Sequence, residues 1–128
     1  MASPPKMSGS GAAYTRAARW SALAALLDTE IATTRAVEHR IFLLDRLATV
    51  SHDRLKDPAR ATAAYQKILS LSPANLGALR SLARLLAEQE RWRELIDVNL
   101  REVDLTTDRH QIAALLYRSG ELLEEQLS

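Results

Sequence analysis

The sequence predicts an all-α protein in which antiparallel helix pairs stack into an α-solenoid. Three observations lead to this fold class. Leu and Ala, which favour helices, dominate the apolar 47% of the chain, whereas aromatic residues make up only 5%. From about Tyr14 onward, apolar residues recur at spacings of three and four, the period of an amphipathic helix. This pattern also repeats itself 72 positions further along the chain.

The composition excludes several classes of partner and site. With 17 basic and 16 acidic residues, the net charge of +1 offers no attraction for nucleic acid or an anionic membrane. Cysteine is absent, which rules out disulfides, thiolate metal sites and a cysteine nucleophile. No apolar run approaches the roughly 20 residues of a membrane span, and the run 22–27 lies too late for a signal peptide. We therefore expect a cytoplasmic protein with no nucleic-acid or membrane partner.

Two regions differ in composition. Residues 1–13 are rich in Pro, Ser and Gly and lack apolar periodicity, so we expect a disordered N-terminal tail. Residues 14–128 form the predicted helical repeat domain. Its six helices are predicted to span residues 14–32, 35–54, 58–71, 76–89, 91–105 and 108–127. The short loops between them force consecutive helices to lie antiparallel.

Apolar faces define the first two helices. The face of the first helix consists of Trp20, Leu23, Leu27 and Ile31, and that of the second of Leu43, Leu44, Leu47, Ala48 and Val50. We expect Thr34 or Thr33 to cap the start of the second helix, because a threonine hydroxyl can accept a hydrogen bond from a free N–H of the first turn.

Local signals mark the ends of the third and fourth helices. Asp57 is the predicted N-cap of the third helix and Pro58 its first residue, where the missing N–H of proline costs nothing. This helix ends before Pro73, because the residue preceding a proline avoids the helical region. Asn75 is the predicted N-cap of the fourth helix. The two apolar faces comprise Ala61, Tyr65, Ile68 and Leu69, and Leu79, Leu82, Ala83, Leu85 and Leu86.

The fifth and sixth helices follow the same logic. We expect Thr106 or Thr107 to cap the sixth helix. The apolar faces are Trp92, Leu95, Ile96 and Val103 in the fifth helix, and Leu115, Leu116, Leu122 and Leu123 in the sixth.

An internal repeat relates these helices. At an offset of 72 residues the first helix falls on the fifth, with Trp20 on Trp92, and the second falls on the sixth, with Leu44 on Leu116. Seventy-two is two units of 36, and Leu79 of the fourth helix supplies the intermediate position. Small residues follow the same spacing at Ala48, Ala83 and Gly120, where we expect helix backbones to approach closely.

The period, the small residues and the closing proline resemble those of the tetratricopeptide repeat. The middle unit resembles it best, through Asp57-Pro58, Tyr65 and Pro73 together with the Leu79 helix. The resemblance covers about residues 19–127 and implies a right-handed solenoid of about three repeats. Asn99 and Ser119 depart from the pattern, since bulky apolar residues are usual at both positions.

The resemblance implies a concave groove, lined by the first helix of each pair, that binds a partner peptide or helix. The residues expected there are Phe42, Asp45, His52, Arg80, Arg84, Tyr117 and Glu121. Arg80 and Arg84 lie one turn apart, so their guanidinium groups can act together on a carboxylate. The alternative is that they pair with Asp45, Glu88 or Glu121 across helices. Tyr117 and Phe42 are aromatic anchors of the kind that dominate interfaces.

No catalytic or metal-binding pattern accompanies this groove. The three histidines lie in no recognised ligand motif, and the sequence contains no nucleophile elbow, P-loop or dinucleotide fingerprint. Glu121, Glu124 and Glu125 lack a Glu-x-x-His partner, so they are read as a solvated acidic face. We expect no enzymatic activity, no metal and no cofactor.

The last helix ends the pattern with an unpaired apolar stripe of Leu116, Leu123 and Leu127. One interpretation is a surface for docking or self-association. The other is that the solenoid continues, so that the chain is a structural section of a longer helical-repeat scaffold without a ligand groove of its own. The leading functional hypothesis is a non-catalytic protein-interaction module, and the scaffold section is its alternative.

Overall fold

The computed structural model describes residues 9–127, with the side chains of residues 15–127. All regular secondary structure in this part of the chain is helical, which confirms the all-α prediction. The six helices are α1 (Gly9–Thr33), α2 (Val37–Asp53), α3 (Pro58–Leu71), α4 (Leu76–Glu88), α5 (Trp92–Leu105) and α6 (Arg109–Gln126). The chain divides into two compact units, with the boundary between Ala61 and Thr62.

The first unit contains α1, α2 and the first turn of α3. Helices α1 and α2 pack against each other. Arg60 of α3 forms an ion pair with Asp28 of α1, and the Arg54 guanidinium lies 4.7 Å from the ring centroid of Trp20. The buried apolar residues of α1 and α2 are Ala24, Leu27, Leu43, Leu44, Leu47, Ala48 and Val50.

The second unit contains the rest of α3 and helices α4, α5 and α6. Helix α5 packs against both α4 and α6. The buried Thr62 of α3 is tied to the end of α4, because Gln89 Nε2 donates to its hydroxyl at 2.7 Å. The buried apolar residues here are Ala64, Ile68, Leu69, Ala78, Leu79, Leu82, Leu85, Leu86, Leu95, Ile96, Val98 and Leu122.

Two of the predicted helix caps are confirmed. Helix α3 begins at Pro58, and Asp57 Oδ1 accepts a hydrogen bond from the Arg60 N–H at 3.1 Å. Asn75 Oδ1 accepts from the Ala78 N–H at 3.0 Å at the start of α4. In both cases a side-chain oxygen satisfies a donor that has no partner inside the helix.

The other two cap predictions are wrong. Helix α2 begins at Val37, and its N-cap position is Ala36, which offers no side-chain hydrogen bond. Helix α6 is capped by Asp108, whose Oδ1 accepts from the N–H groups of His110 at 2.9 Å and Gln111 at 3.3 Å. A carboxylate also carries a charge that favours the N-terminal end of the helix dipole, and Asp108 outcompetes the two preceding threonines for this position.

The N-terminal prediction differs from the structure in one respect. Residues 1–8 of the predicted tail lie outside the described residues. Helix α1 begins at Gly9 and not at Tyr14, so residues 9–13 belong to the helix.

Two non-glycine residues adopt the left-handed region, Lys56 with φ 53° and Glu90 with φ 56°. Glu90 follows α4, where a glycine would adopt this conformation without the steric cost of a Cβ. Replacing Glu90 by glycine should remove a steric cost of about 1–2 kcal/mol. The greater freedom of glycine in the unfolded chain offsets about 0.5–1 kcal/mol of this gain.

We therefore expect Glu90→Gly to raise the free energy of unfolding by about 0.5–1 kcal/mol in urea titration. Arg101→Gly, at an exposed position in the interior of α5, is the matched control and should lower it by about 1 kcal/mol. Equal destabilisation by both glycines would contradict the strain assigned to Glu90.

Candidate functional site

A buried carboxylate joins the three C-terminal helices. Glu102 of α5 is only 2% exposed. Its Oε2 accepts a hydrogen bond from Arg80 Nε of α4 at 3.0 Å and another from Gln111 Nε2 of α6 at 3.1 Å. Sequence reasoning did not select Glu102, which lies 72 residues after Glu30 in the register of the repeat. The contact fixes Arg80, which was predicted to recognise a partner.

Arg80 is held at one end and open at the other. Glu102 engages its Nε, while the Arg80 side chain remains 53% exposed. The terminal guanidinium nitrogens can therefore reach a carboxylate of another molecule. A guanidinium whose orientation is already fixed loses less entropy on binding than a free arginine.

Arg84 lies one turn further along α4 and is exposed. Its Nη2 donates to the Ser81 hydroxyl at 3.3 Å, and it forms no ion pair with the described residues. Arg80 therefore pairs with Glu102, a carboxylate outside the predicted set of Asp45, Glu88 and Glu121.

Helix α6 contributes the other two predicted groove residues of this unit. Tyr117 is 72% exposed, so its ring is open to solvent. Glu121 is half-buried, and its Oε1 lies 3.9 Å from Arg118 Nη1, the limit of an ion pair. Both α4 and α6 contact α5, on which Glu102 links them.

The remaining predicted residues lie on α2, in the first unit. Phe42 is 56% exposed, with its ring stacked on His39 at a centroid distance of 6.4 Å and the Arg46 guanidinium 5.6 Å away. Asp45 is exposed. His52 Nδ1 lies 2.8 Å from Asp53 Oδ1, although adjacent helix positions point about 100° apart. The exposed Phe42 ring is thus packed against two neighbouring side chains of α2, His39 and Arg46.

A cleft of about 360 Å³ lies among α3, α4 and α5. Its apolar lining comes from Leu69, Leu82, Leu86 and Val98, and its polar lining from Gln66, Ser70, Glu94, Asp97 and Arg101. Sequence reasoning missed this cleft. The sequence feature that could have indicated it is the charged pair Asp97 and Arg101, which lie one turn apart on the same face of α5.

The predicted terminal stripe on α6 is largely uncovered. Leu116 is 49% exposed and Leu123 is 52% exposed, whereas Leu127 is half-buried. A Cβ added at Gly120 would meet no atom within 4 Å, so the close helix approach predicted at this glycine does not occur within the described residues. The counterpart Ala48 is fully buried. Ala48 and Gly120 occupy the same place in the repeat, but within the described residues only Ala48 is covered by its neighbours.

Residues 9–127 contain neither a metal cluster nor a membrane-spanning helix. No group of three or more His, Asp or Glu side chains in this range could hold a metal ion. None of the helices in the same range combines the length and the hydropathy that crossing a bilayer requires.

Comparison with protein-family models, with curated proteins and with solved structures gave no match.

The Glu102 contact makes a quantitative prediction. Glu102→Ala should lower the free energy of unfolding by about 2–4 kcal/mol, since it opens a cavity and leaves Gln111 without its partner. In a double-mutant cycle with Arg80→Ala, urea unfolding should give a coupling energy of about 1–2 kcal/mol. The same cycle built on Arg84 is the control, and its coupling to Glu102 should be close to zero.

Proposed function

We propose that this chain is a non-catalytic protein-interaction module that binds an acidic peptide or helix of a partner protein. Its helix pairs form a right-handed solenoid of the tetratricopeptide type, and the partner lies across the first helix of the pairs. The observation that carries the proposal is the arginine pair on α4, in which Arg80 is oriented by the buried Glu102 and Arg84 has no carboxylate partner among the described residues.

The charge of this surface supports an acidic partner. Arg80 and Arg84 bring two positive charges to one face of α4, and Glu102 balances only one of them inside the protein. A partner carboxylate that reached both guanidinium groups would form charge-assisted hydrogen bonds, each stronger than a neutral one. Two partner carboxylates one helical turn apart would match the spacing of the arginines.

Tyr117 supplies the apolar part of the proposed contact. An aromatic ring that is 72% exposed offers a large contact area at the cost of only two torsions. Tyrosine and arginine are among the residues most often found at the energetic centre of interfaces. We expect the partner segment to carry an aliphatic or aromatic side chain beside its carboxylates.

The packing of consecutive helices supports the repeat on which the proposal rests. Helix α1 packs on α2 in the first unit and α5 packs on α6 in the second, and these two helix pairs are 72 residues apart in sequence. The same pairing in two related segments is what stacked repeats of one motif produce.

The alternative function is a structural section of a longer scaffold. The exposed leucines of α6 favour it, because a solenoid that continued would cover them. In that case α4 would need no ligand, and Arg84 would be an ordinary solvated arginine.

Binding of defined peptides tests the proposal. A labelled helical peptide with two glutamates one turn apart and one leucine should bind the protein in fluorescence anisotropy, and Arg84→Ala should weaken it about tenfold. Tyr117→Ala should weaken it by a similar factor. Arg93→Ala, which removes an exposed arginine of α5, is the matched control and should leave the affinity unchanged.

The result that would contradict the proposal is a peptide affinity that is the same for the parent, Arg84→Ala and Arg93→Ala. Binding would then be non-specific, and the scaffold function would take precedence. A scrambled peptide of the same charge measures how much of the affinity is electrostatic attraction alone.

A further inference from the structure

Within residues 9–127, helices α1 and α6 each leave uncovered an apolar position that is buried on the corresponding helix. In the repeat, α1 corresponds to α5 at an offset of 72 residues. Helix α5 packs against α4 on one side and α6 on the other. Helix α1 packs against α2, the counterpart of α6, and no helix in the described residues corresponds to an α4 before it.

The exposed residues of α1 show where that neighbour is missing. Val98 of α5 is 5% exposed and lines the cleft together with Leu82 and Leu86 of α4. Its counterpart on α1 is Leu26, which is 63% exposed. Leu26 is thus an apolar residue in the register that α4 covers on α5.

Helix α6 also has an apolar face that is left uncovered. It corresponds to α4 at an offset of 37 residues, which places Leu116 on Leu79 and Leu123 on Leu86. The two α4 leucines are 0% and 1% exposed, whereas the two α6 leucines are 49% and 52% exposed. The face that α4 presents to its surroundings is therefore present on α6 but uncovered.

The charges of the two helices also complement each other. Arg16 and Arg19 lie in the N-terminal half of α1, which carries no acidic residue between Thr15 and Leu27. The C-terminal half of α6 carries Glu121, Glu124 and Glu125, all on its last two turns. An antiparallel arrangement, as between consecutive helices, would place the acidic end of α6 beside the basic end of α1.

We propose that the chain associates head to tail, with α6 of one copy packed on α1 of a second copy in the way that α4 packs on α5. Leu26 of one copy then lies beside Leu123 of the other, in the positions that correspond to Val98 and Leu86, which line one cleft within the chain. The occupant of the α6 stripe is thus α1 of another copy. Because the two faces differ, the interface is heterologous, and each copy keeps one unused face for a further copy.

Sedimentation velocity of the full chain over about 10 µM to 1 mM tests the proposal, because an interface of one helix on another is small and its affinity correspondingly weak. The parent should show a sedimentation coefficient that rises with concentration. Leu26→Asp and Leu123→Asp should each be monomeric on its own. Both leucines are exposed, so circular dichroism should show unchanged helicity in either variant.

The decisive measurement is the mixture of the two variants. Leu26→Asp retains an intact α6 face and Leu123→Asp retains an intact α1 face, so an equimolar mixture should form a 1:1 heterodimer and stop there. Leu100→Asp is the matched control: Leu100 is a 42% exposed leucine of α5, and its replacement should leave the association of the parent unchanged.

Three outcomes would overturn the proposal. One is a parent that stays monomeric over the whole concentration range. Another is a Leu26→Asp variant that still self-associates while Leu123→Asp does not, which would indicate a symmetric contact between two α6 helices. The third is a mixture of the two variants that forms no heterodimer. None of these outcomes depends on peptide binding at α4, so the two proposals fail independently.

Discussion

The second unit depends on the buried carboxylate of Glu102. A charge that is 2% exposed has lost its water, and this costs several kcal/mol unless other groups replace the solvent. The replacements come from Arg80 and Gln111, on the helices at either side of α5. The carboxylate can therefore be satisfied only when α4, α5 and α6 lie in one register. Apolar packing alone would tolerate small slips between helices, and this contact does not.

The same contact connects the fold with the proposed binding surface. By taking Nε of Arg80, Glu102 fixes the plane of the guanidinium and leaves the outer part of a half-exposed side chain to solvent. Arg84 lies one turn away, and its Nη2 donates only to the neutral Ser81 hydroxyl, at 3.3 Å. A ligand carboxylate would thus meet one fixed and one adaptable cation. The fixed one provides geometry and the adaptable one accommodates variation between ligands.

Sequence reasoning succeeded where the cause was local and failed where it was not. Pro58 and Asn75 set the starts of α3 and α4 because their effects act within one turn. The partner of Arg80 is 22 residues away, and its identity depends on how two helices cross. The cleft among α3, α4 and α5 depends in the same way on the relative positions of helices. Leu116 and Leu123 were predicted both as part of the apolar face of α6 and as an uncovered stripe, and the structure leaves them uncovered.

The comparison of Leu44 with Leu116 shows why a sequence pattern does not determine burial. The two leucines occupy the same place in the repeat, yet they are 1% and 49% exposed. Covering the exposed half of Leu116 and of Leu123 would contribute only about 1 kcal/mol each. Association costs at least about 4 kcal/mol in lost translational and rotational freedom, so two leucines cannot hold a second copy by themselves. Leu26 and the opposite charges of Arg16, Arg19 and the glutamates of α6 must contribute as well. The favourable free energy of these contacts exceeds the cost of association by only a small amount, so the interface is reversible. The fraction of associated chains therefore depends on the protein concentration and on the ionic strength.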